Sequence, residues 1–252
     1  MIAAIVLAGG QKNLTANGNG PEKQNEALIK IGSRHMVEYV VEAIRQSEFV
    51  RDIIIAGDKK SLEKIFADYK GIFIVEAGVN VIESFKNALK FVDKGKQRIL
   101  IATADIPLIH REAVDSFLKN CFKLEGELFY PIISKETNEQ KYPSSKRTYA
   151  ELKEGSFTGG NLFVLDARKI DRALPVAERL VQYRKKPIKL ASCVGWRILL
   201  KYILGRLALK EAEQSVSKLM GLKGRAVICT FPEIGLDVDK DSDLELAKKI
   251  LC

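Results

Sequence analysis

The sequence predicts an α/β fold, a mostly parallel sheet with helices on both faces, and two observations carry that reading. Over about the first 120 residues, short apolar runs bounded by turn residues alternate with stretches whose apolar residues recur at three and four. The first such run ends in a glycine pair and the fourth runs into an acidic residue followed by proline. Both features belong at the carboxyl ends of parallel strands, where sheets of this kind bind ligands.

The elements follow in order. Ile2–Leu7 is the first strand, and Gly9-Gly10 turns the chain behind it. Residues 11–24 are rich in Asn, Gly and Lys and read as a flexible loop. Val37, Val40, Val41 and Ile44 mark a helix, and Asp52–Gly57 a buried strand. Lys59–Tyr69 reads as a helix, Ile72–Val75 as a strand, Val81–Val92 as a helix and Arg98–Ala102 as the fourth strand. In the second half Glu127–Ile133 reads as a strand, 134–155 as a polar connection and Leu162–Leu165 as a strand after a Gly-Gly turn. Residues 171–221 are mainly helical by pattern, Arg225–Thr230 is a strand, and Asp241–Leu251 closes as a helix. The expectation is a single domain over 1–252, with a helical insertion at about 167–224 between strands of that domain.

Composition narrows the function classes. The chain has 252 residues, 46% of them apolar and 29% charged, and a formal net charge of +9. That charge suits an anionic partner, or general lysine richness. Four cysteines without a C-x-x-C pair and only two histidines argue against a zinc site or a disulfide framework. Cytoplasmic residence is therefore expected. Leu190–Leu209 is interrupted by Arg197, Lys201 and Arg206 and does not read as a membrane span. No nucleic-acid-binding motif is present, so no nucleic-acid partner is expected.

Three motifs point to chemistry. Leu7-Ala8-Gly9-Gly10 lets backbone N–H groups approach a phosphate, with Lys12 and Lys23 to add positive charge; a plain tight turn is the alternative. Thr103-Ala104-Asp105-Ile106-Pro107 places a carboxylate at a strand's end, suited to Mg²⁺, or else to capping the next helix, which is expected nearer His110. Asp237-Val238-Asp239 offers two carboxylates pointing the same way in extended chain, one of which could be the second metal ligand, while Asp241 is the expected helix cap.

Together these pieces resemble the nucleotidyltransferase superfamily with a Rossmann-like, GT-A-type sheet, in its MobA-like and cytidylyltransferase branches. The matching segments are Leu7–Gly10, Glu26–Ile29 to Gly32, Met36–Glu38, Thr103–Leu108, Phe157–Asn161 and Asp237–Asp239, in family order. The resemblance implies a three-layer fold in which Leu7, Ala8, Gly9, Gly10 and Thr103 line the nucleotide, the Gly9-Gly10 turn holding its triphosphate, and Asp105 and Asp237 hold Mg²⁺ on the α-phosphate. It implies that Gly78 and Ser84, after Ala77, contact base and ribose, and that Thr158, Gly159, Gly160 and Asn161 lie beside the acceptor. The chain departs from the family where an Arg and a Pro-Lys pair are usual: Leu14 and Asn25-Glu26 stand there. Lys12, Lys23 or Lys30 substitutes, or the protein binds nucleotide without turning it over.

The expected function is transfer of a nucleotidyl group from a nucleoside triphosphate, CTP or GTP before the others, to a phosphorylated or hydroxylated small molecule, with release of pyrophosphate. Lys146 and Arg147 are candidates for an acceptor phosphate, an exposed charged loop being the alternative. A nucleotide-binding regulatory protein and a GT-A-type glycosyltransferase are the competing readings, the second disfavoured because no Asp-x-Asp follows the fourth strand. In the helical insertion, Arg184-Lys185-Lys186 and Trp196-Arg197 border Leu199, Leu200, Ile203 and Leu204, an apolar stripe that reads as core or a homodimer interface in preference to a membrane-surface or lipid-phosphate contact.

Overall fold

A computed structural model describes residues 1–14, 22–93, 95, 97–183 and 195–252, without the side chains of 12–14 and 22–24. Its centre is β1 (Ile2–Ala8), paired in parallel with β6 (Val50–Gly57) on one edge and β8 (Arg98–Thr103) on the other. β7 (Ile72–Glu76) extends the sheet beyond β6. Beyond β8 lie β12 (Leu162–Asp166) and β9 (Leu128–Ser134), giving the order β10-β11-β9-β12-β8-β1-β6-β7. β11 (Gly155–Gly159) and β12 pair with different parts of β9, and β13 (Gly224–Ile228) runs parallel along the other edge of β9. β10 (Ala150–Leu152) closes the far side. Only β11 and β12 run against the common direction, so this nine-stranded sheet is mixed but mostly parallel among the described residues.

The two-residue period of β1 sorts its side chains into two cores. Ala4 and Val6 join Ile53, Ile55, Leu100 and Ala102 under α1 (Met36–Arg45) and α4 (Arg111–Lys123). Ala3 and Ile5 join Ile54, Ala56 and Ile99 under α3 (Val81–Leu89) and α6 (Ile170–Tyr183). The order reverses at β1, since the chain moves from β1 to β6 and β7 and then returns to β8. The crevice outside the ends of β1 and β8 is therefore the switch point where a ligand fits.

Several elements differ from the sequence expectation. The polar stretch after Gly10 forms a hairpin stem, β2 (Gln11–Leu14) against β3 (Glu22–Asn25); residues 15–21 lie outside the described residues. Small pairs β4 (Lys30–Ile31) and β5 (Arg34–His35) follow. Helix α2 (Lys59–Ile65) stops well before Tyr69, and α3 ends at Leu89. The connection after β9 contains α5 (Lys135–Lys141), started by Ser134, whose side chain accepts from the Thr137 N–H. Between β12 and β13 lie α6, α7 (Trp196–Ile203) and α8 (Leu209–Met220); Arg184-Lys185-Lys186 falls outside the described residues. The last helix, α9 (Asp241–Leu251), corrects the cap assignment. Asp241 is its first residue, and Asp243 reaches back to accept from the Lys240 N–H at 3.0 Å, because N3 is the position that meets the N-cap backbone.

Phe117 on α4 is fully buried between helix and sheet. Phe117→Ala is expected to lower stability by about 3–5 kcal/mol, read as a shift of the urea midpoint with an unchanged slope.

Candidate active site

The loops at the switch point meet directly. The Ala104 N–H donates to the Leu7 carbonyl at 3.1 Å, tying the turn after β8 to the end of β1. Gly9 packs on the loop after β7: a side chain there would come within 2.8 Å of the Ala77 Cβ. In that loop the Gly78 N–H donates to Ser84 Oγ at 3.0 Å, and Ser84 Oγ donates to the Asn80 carbonyl at 3.0 Å. The expected nucleotide residues Gly9, Gly10, Gly78 and Ser84 thus share one wall, although the Ser84 hydroxyl is engaged in shaping its own loop and is buried.

An acidic cluster gathers just past the end of β8. Asp105, Asp237 and Asp239 each offer a carboxylate oxygen, all within 4.8 Å of one another. Asp105 is positioned twice: Thr103 Oγ1 donates to its Oδ1 at 2.5 Å, and its carbonyl accepts the Val238 N–H at 2.8 Å. Thr103, expected at the nucleotide, orients the carboxylate. The capping alternative for Asp105 falls away, since α4 starts at Arg111 with His110 as its N-cap. Burial pushes the Asp237 carboxyl above its usual range; Arg147 works against that, and the neighbouring Asp105 and Asp239 add to it. Arg147 donates through Nη2 to Asp237 Oδ1 and through Nη1 to its carbonyl. Converging hard oxygens suit Mg²⁺ or Ca²⁺ and not a soft metal, so the donor set fits the expected ion.

The remaining expected residues are distributed unevenly. The Asn161 N–H donates to the Ile234 carbonyl at 2.8 Å and its carbonyl accepts the Thr103 N–H at 3.2 Å, which sets the Gly159–Asn161 turn beside the acidic loop. Close packing explains the glycines, since a side chain on Gly160 would strike Ile234 and Pro131, and one on Gly159 would strike the Tyr130 ring. Thr158 is buried in β11. Lys146 is exposed and Arg147 is half-buried on the carboxylates. Lys12 and Lys23 lie in the hairpin stem opposite Gln24 and Asn13, with their side chains outside the described residues.

The sequence reading did not anticipate a buried anchor beneath the cluster. Glu233, fully buried just before Asp237, accepts from Tyr142 Oη at 2.6 Å and pairs with Lys141. Burial would raise its carboxyl, but the hydrogen bonds from Lys141 and Tyr142 hold it below the ordinary value. These contacts join the end of α5, and through it the Arg147 segment, to the loop that carries Asp237. Nothing in the pattern of Pro232–Gly235 distinguishes Glu233 from a surface acid. A second unanticipated feature is Glu26, whose Oε1 lies where a Gly10 side chain would begin, 1.8 Å from the position of that Cβ.

The family model for the MobA-like NTP transferase domain matches residues 4–177. The chain belongs to this family. Among solved structures this MobA-like protein is similar to a hypothetical transferase from Thermus thermophilus, with 39% identity, a TM-score of 0.82, and 96% of this chain and 99% of that one covered. Its fold is also that of 4-diphosphocytidyl-2C-methyl-D-erythritol synthase from Anaerococcus prevotii, at 14% identity and a TM-score of 0.61 over 100% and 96% of the two chains. A 2-C-methyl-D-erythritol 4-phosphate cytidylyltransferase of Frankia casuarinae is 28% identical over 116 residues, 46% of this chain; the match spans 42% of that protein's length.

Because the Glu233 carboxyl is held low in the folded protein, its stabilisation is present above its ordinary value of 4.5 and is lost as pH falls through the lowered one. Glu233→Gln should therefore cost roughly 1–3 kcal/mol at pH 7 and flatten the decline of the melting temperature with acidification below the ordinary carboxylate range, read by calorimetry across a pH series.

Proposed function

We propose that this protein transfers a nucleotidyl group from a Mg²⁺-bound nucleoside triphosphate, CTP or GTP, to a phosphorylated or hydroxylated small molecule. The convergence of Asp105, Asp237 and Asp239 just past the end of β8, which Ala104 ties to the end of β1 ahead of the Gly9-Gly10 turn, carries this reading. An oxygen of the acceptor, a phosphate oxygen or a hydroxyl that gives up its proton to solvent, attacks the α-phosphorus in line; the new P–O bond forms as the bond to the bridging oxygen breaks, and pyrophosphate leaves. Mg²⁺ held by the three aspartates would neutralise charge on the phosphate oxygens. The backbone N–H groups of the glycine turn orient the triphosphate, the Gly78–Ser84 loop walls the base, and the Gly159–Asn161 turn with Arg147 and Lys146 positions the acceptor.

One observation favours a second reading, nucleotide binding without turnover. The Glu26 carboxylate lies against Gly10, where the family usually brings a lysine nearby, and an anion there opposes a triphosphate. On that reading the site is a nucleotide-responsive regulatory one.

Two measurements separate these. With MgCl₂ present, a bound triphosphate at 100-fold its Kd adds about 2.7 kcal/mol of stability, so CTP or GTP should raise the melting temperature and Asp105→Asn should abolish the rise; absence of a rise with all common triphosphates refutes both readings. Pyrophosphate release on a panel of phosphorylated metabolites identifies the enzyme, and a thermal shift without release identifies the binder. Glu26→Gln is expected to tighten triphosphate binding several-fold, measured by titration calorimetry.

A further inference from the structure

Helix α7 turns an apolar stripe toward solvent. Trp196, Leu199, Leu200, Ile203 and Leu204 recur at i, i+3, i+4, i+7 and i+8, one face of a helix. All five are exposed, Trp196 and Ile203 to 69% and Leu204 to 56%. Of the two expectations for this stripe, core and homodimer contact, the first is corrected: the helix buries no residue fully, and Tyr202 on its other side roofs an apolar cavity of about 330 Å³ shared with Leu207, Leu152 and Phe157. Arg197 and Lys201 lie one turn apart on the flank, and Arg206 and Lys210 follow, all exposed. No acidic residue occurs from 195 to 210; Lys201 is paired with Glu211 next in the chain, so Arg197, Arg206 and Lys210 give the stretch a net charge of +3.

We propose that α7 docks the protein on an anionic lipid surface, lying in the plane of the interface with the Trp196–Leu204 stripe among the acyl chains and the arginines at the headgroups. An apolar stripe alone would suit a second copy of the chain equally well. A two-fold dimer, however, sets a patch against itself, and here that places the net +3 of Arg197, Arg206 and Lys210 against an equal charge. An anionic surface satisfies the stripe and the charge together. No helix among the described residues is long and apolar enough to cross a membrane, so the contact is peripheral. The proposal stands apart from the nucleotide reading, since none of its residues belongs to the acidic cluster or the glycine turn.

The chain has one tryptophan, Trp196, so its fluorescence reports this helix alone. The full-length protein is mixed at low salt with vesicles of phosphatidylcholine, or of phosphatidylcholine and phosphatidylglycerol in equal parts. Trp196 emission should shift to the blue and the protein should sediment with the anionic vesicles at least about 10-fold more strongly than with the neutral ones, the difference shrinking as salt is raised. Leu200→Glu combined with Ile203→Glu should abolish both signals while leaving the circular dichroism and the nucleotide thermal shift unchanged. Arg197→Gln with Arg206→Gln should remove most of the preference for anionic vesicles. Failure to sediment with anionic vesicles at low salt overturns the proposal. So does a lipid-free dimer, seen by analytical ultracentrifugation, that Leu200→Glu dissociates.

Discussion

Three carboxylates confined to one partly enclosed place repel one another, and much of the architecture around the switch point serves to hold them there. Two unit charges about 4–5 Å apart repel by roughly 3–4 kcal/mol at an effective dielectric near 20, and Asp105, Asp237 and Asp239 approach at that range. The raised Asp237 carboxyl, driven first by burial and reinforced by its two neighbours, is the local sign of that opposition. Such an arrangement persists only if rigid elements fix its members.

Those elements come from distant parts of the sequence. Asp105 lies two residues past the end of β8, a central strand with core on both faces, and is oriented by Thr103. The Asp237 loop is joined to that strand's end through the Val238 N–H and to the Gly159–Asn161 turn through the Ile234 carbonyl. Beneath it, Glu233 is locked by Lys141 and Tyr142. Four segments separated by up to more than a hundred residues thus converge on one small volume. This explains why Gly159 and Gly160 tolerate no side chain: Tyr130, Pro131 and Ile234 already fill the space.

What the sequence made legible follows from which forces leave a local pattern. The β1, β6 and β8 runs are continuous and apolar because both faces of those strands are buried, and Asp105 and Gly9-Gly10 were readable because they end such strands. The β2/β3 stem was not, since Gln11–Leu14 and Glu22–Asn25 show no alternation of apolar and polar residues from which a strand could be read. Helix α5 was missed for the same reason: Lys135–Lys141 has no apolar period and is started by the Ser134 cap. Glu233 gave no sign because its burial is decided by Tyr142 and Lys141, about ninety residues away. The α7 stripe is legible as a helical face, but whether such a face packs inside the fold or against a partner is a matter that periodicity cannot decide, and here it lies exposed.

The charge inventory of the site also constrains how it can be used. With all three aspartates ionised the cluster carries −3, and Arg147, paired with Asp237, returns one positive charge. A divalent ion would bring the sum to zero, so Arg147 and the ion complement each other and need not compete for the whole cluster. A triphosphate then adds negative charge that the cluster no longer offsets, with Glu26 beside Gly10 making the deficit larger. Cations from outside the cluster must balance it. Lys12 and Lys23 are carried by a hairpin stem that leaves β1 directly at the Gly9-Gly10 turn, which sets their backbone at the edge where that deficit arises. On the proposed nucleotide reading, the departure of this chain from the usual Arg and Lys positions would be offset from the hairpin if the protein turns nucleotide over, and would stand uncompensated if it only binds.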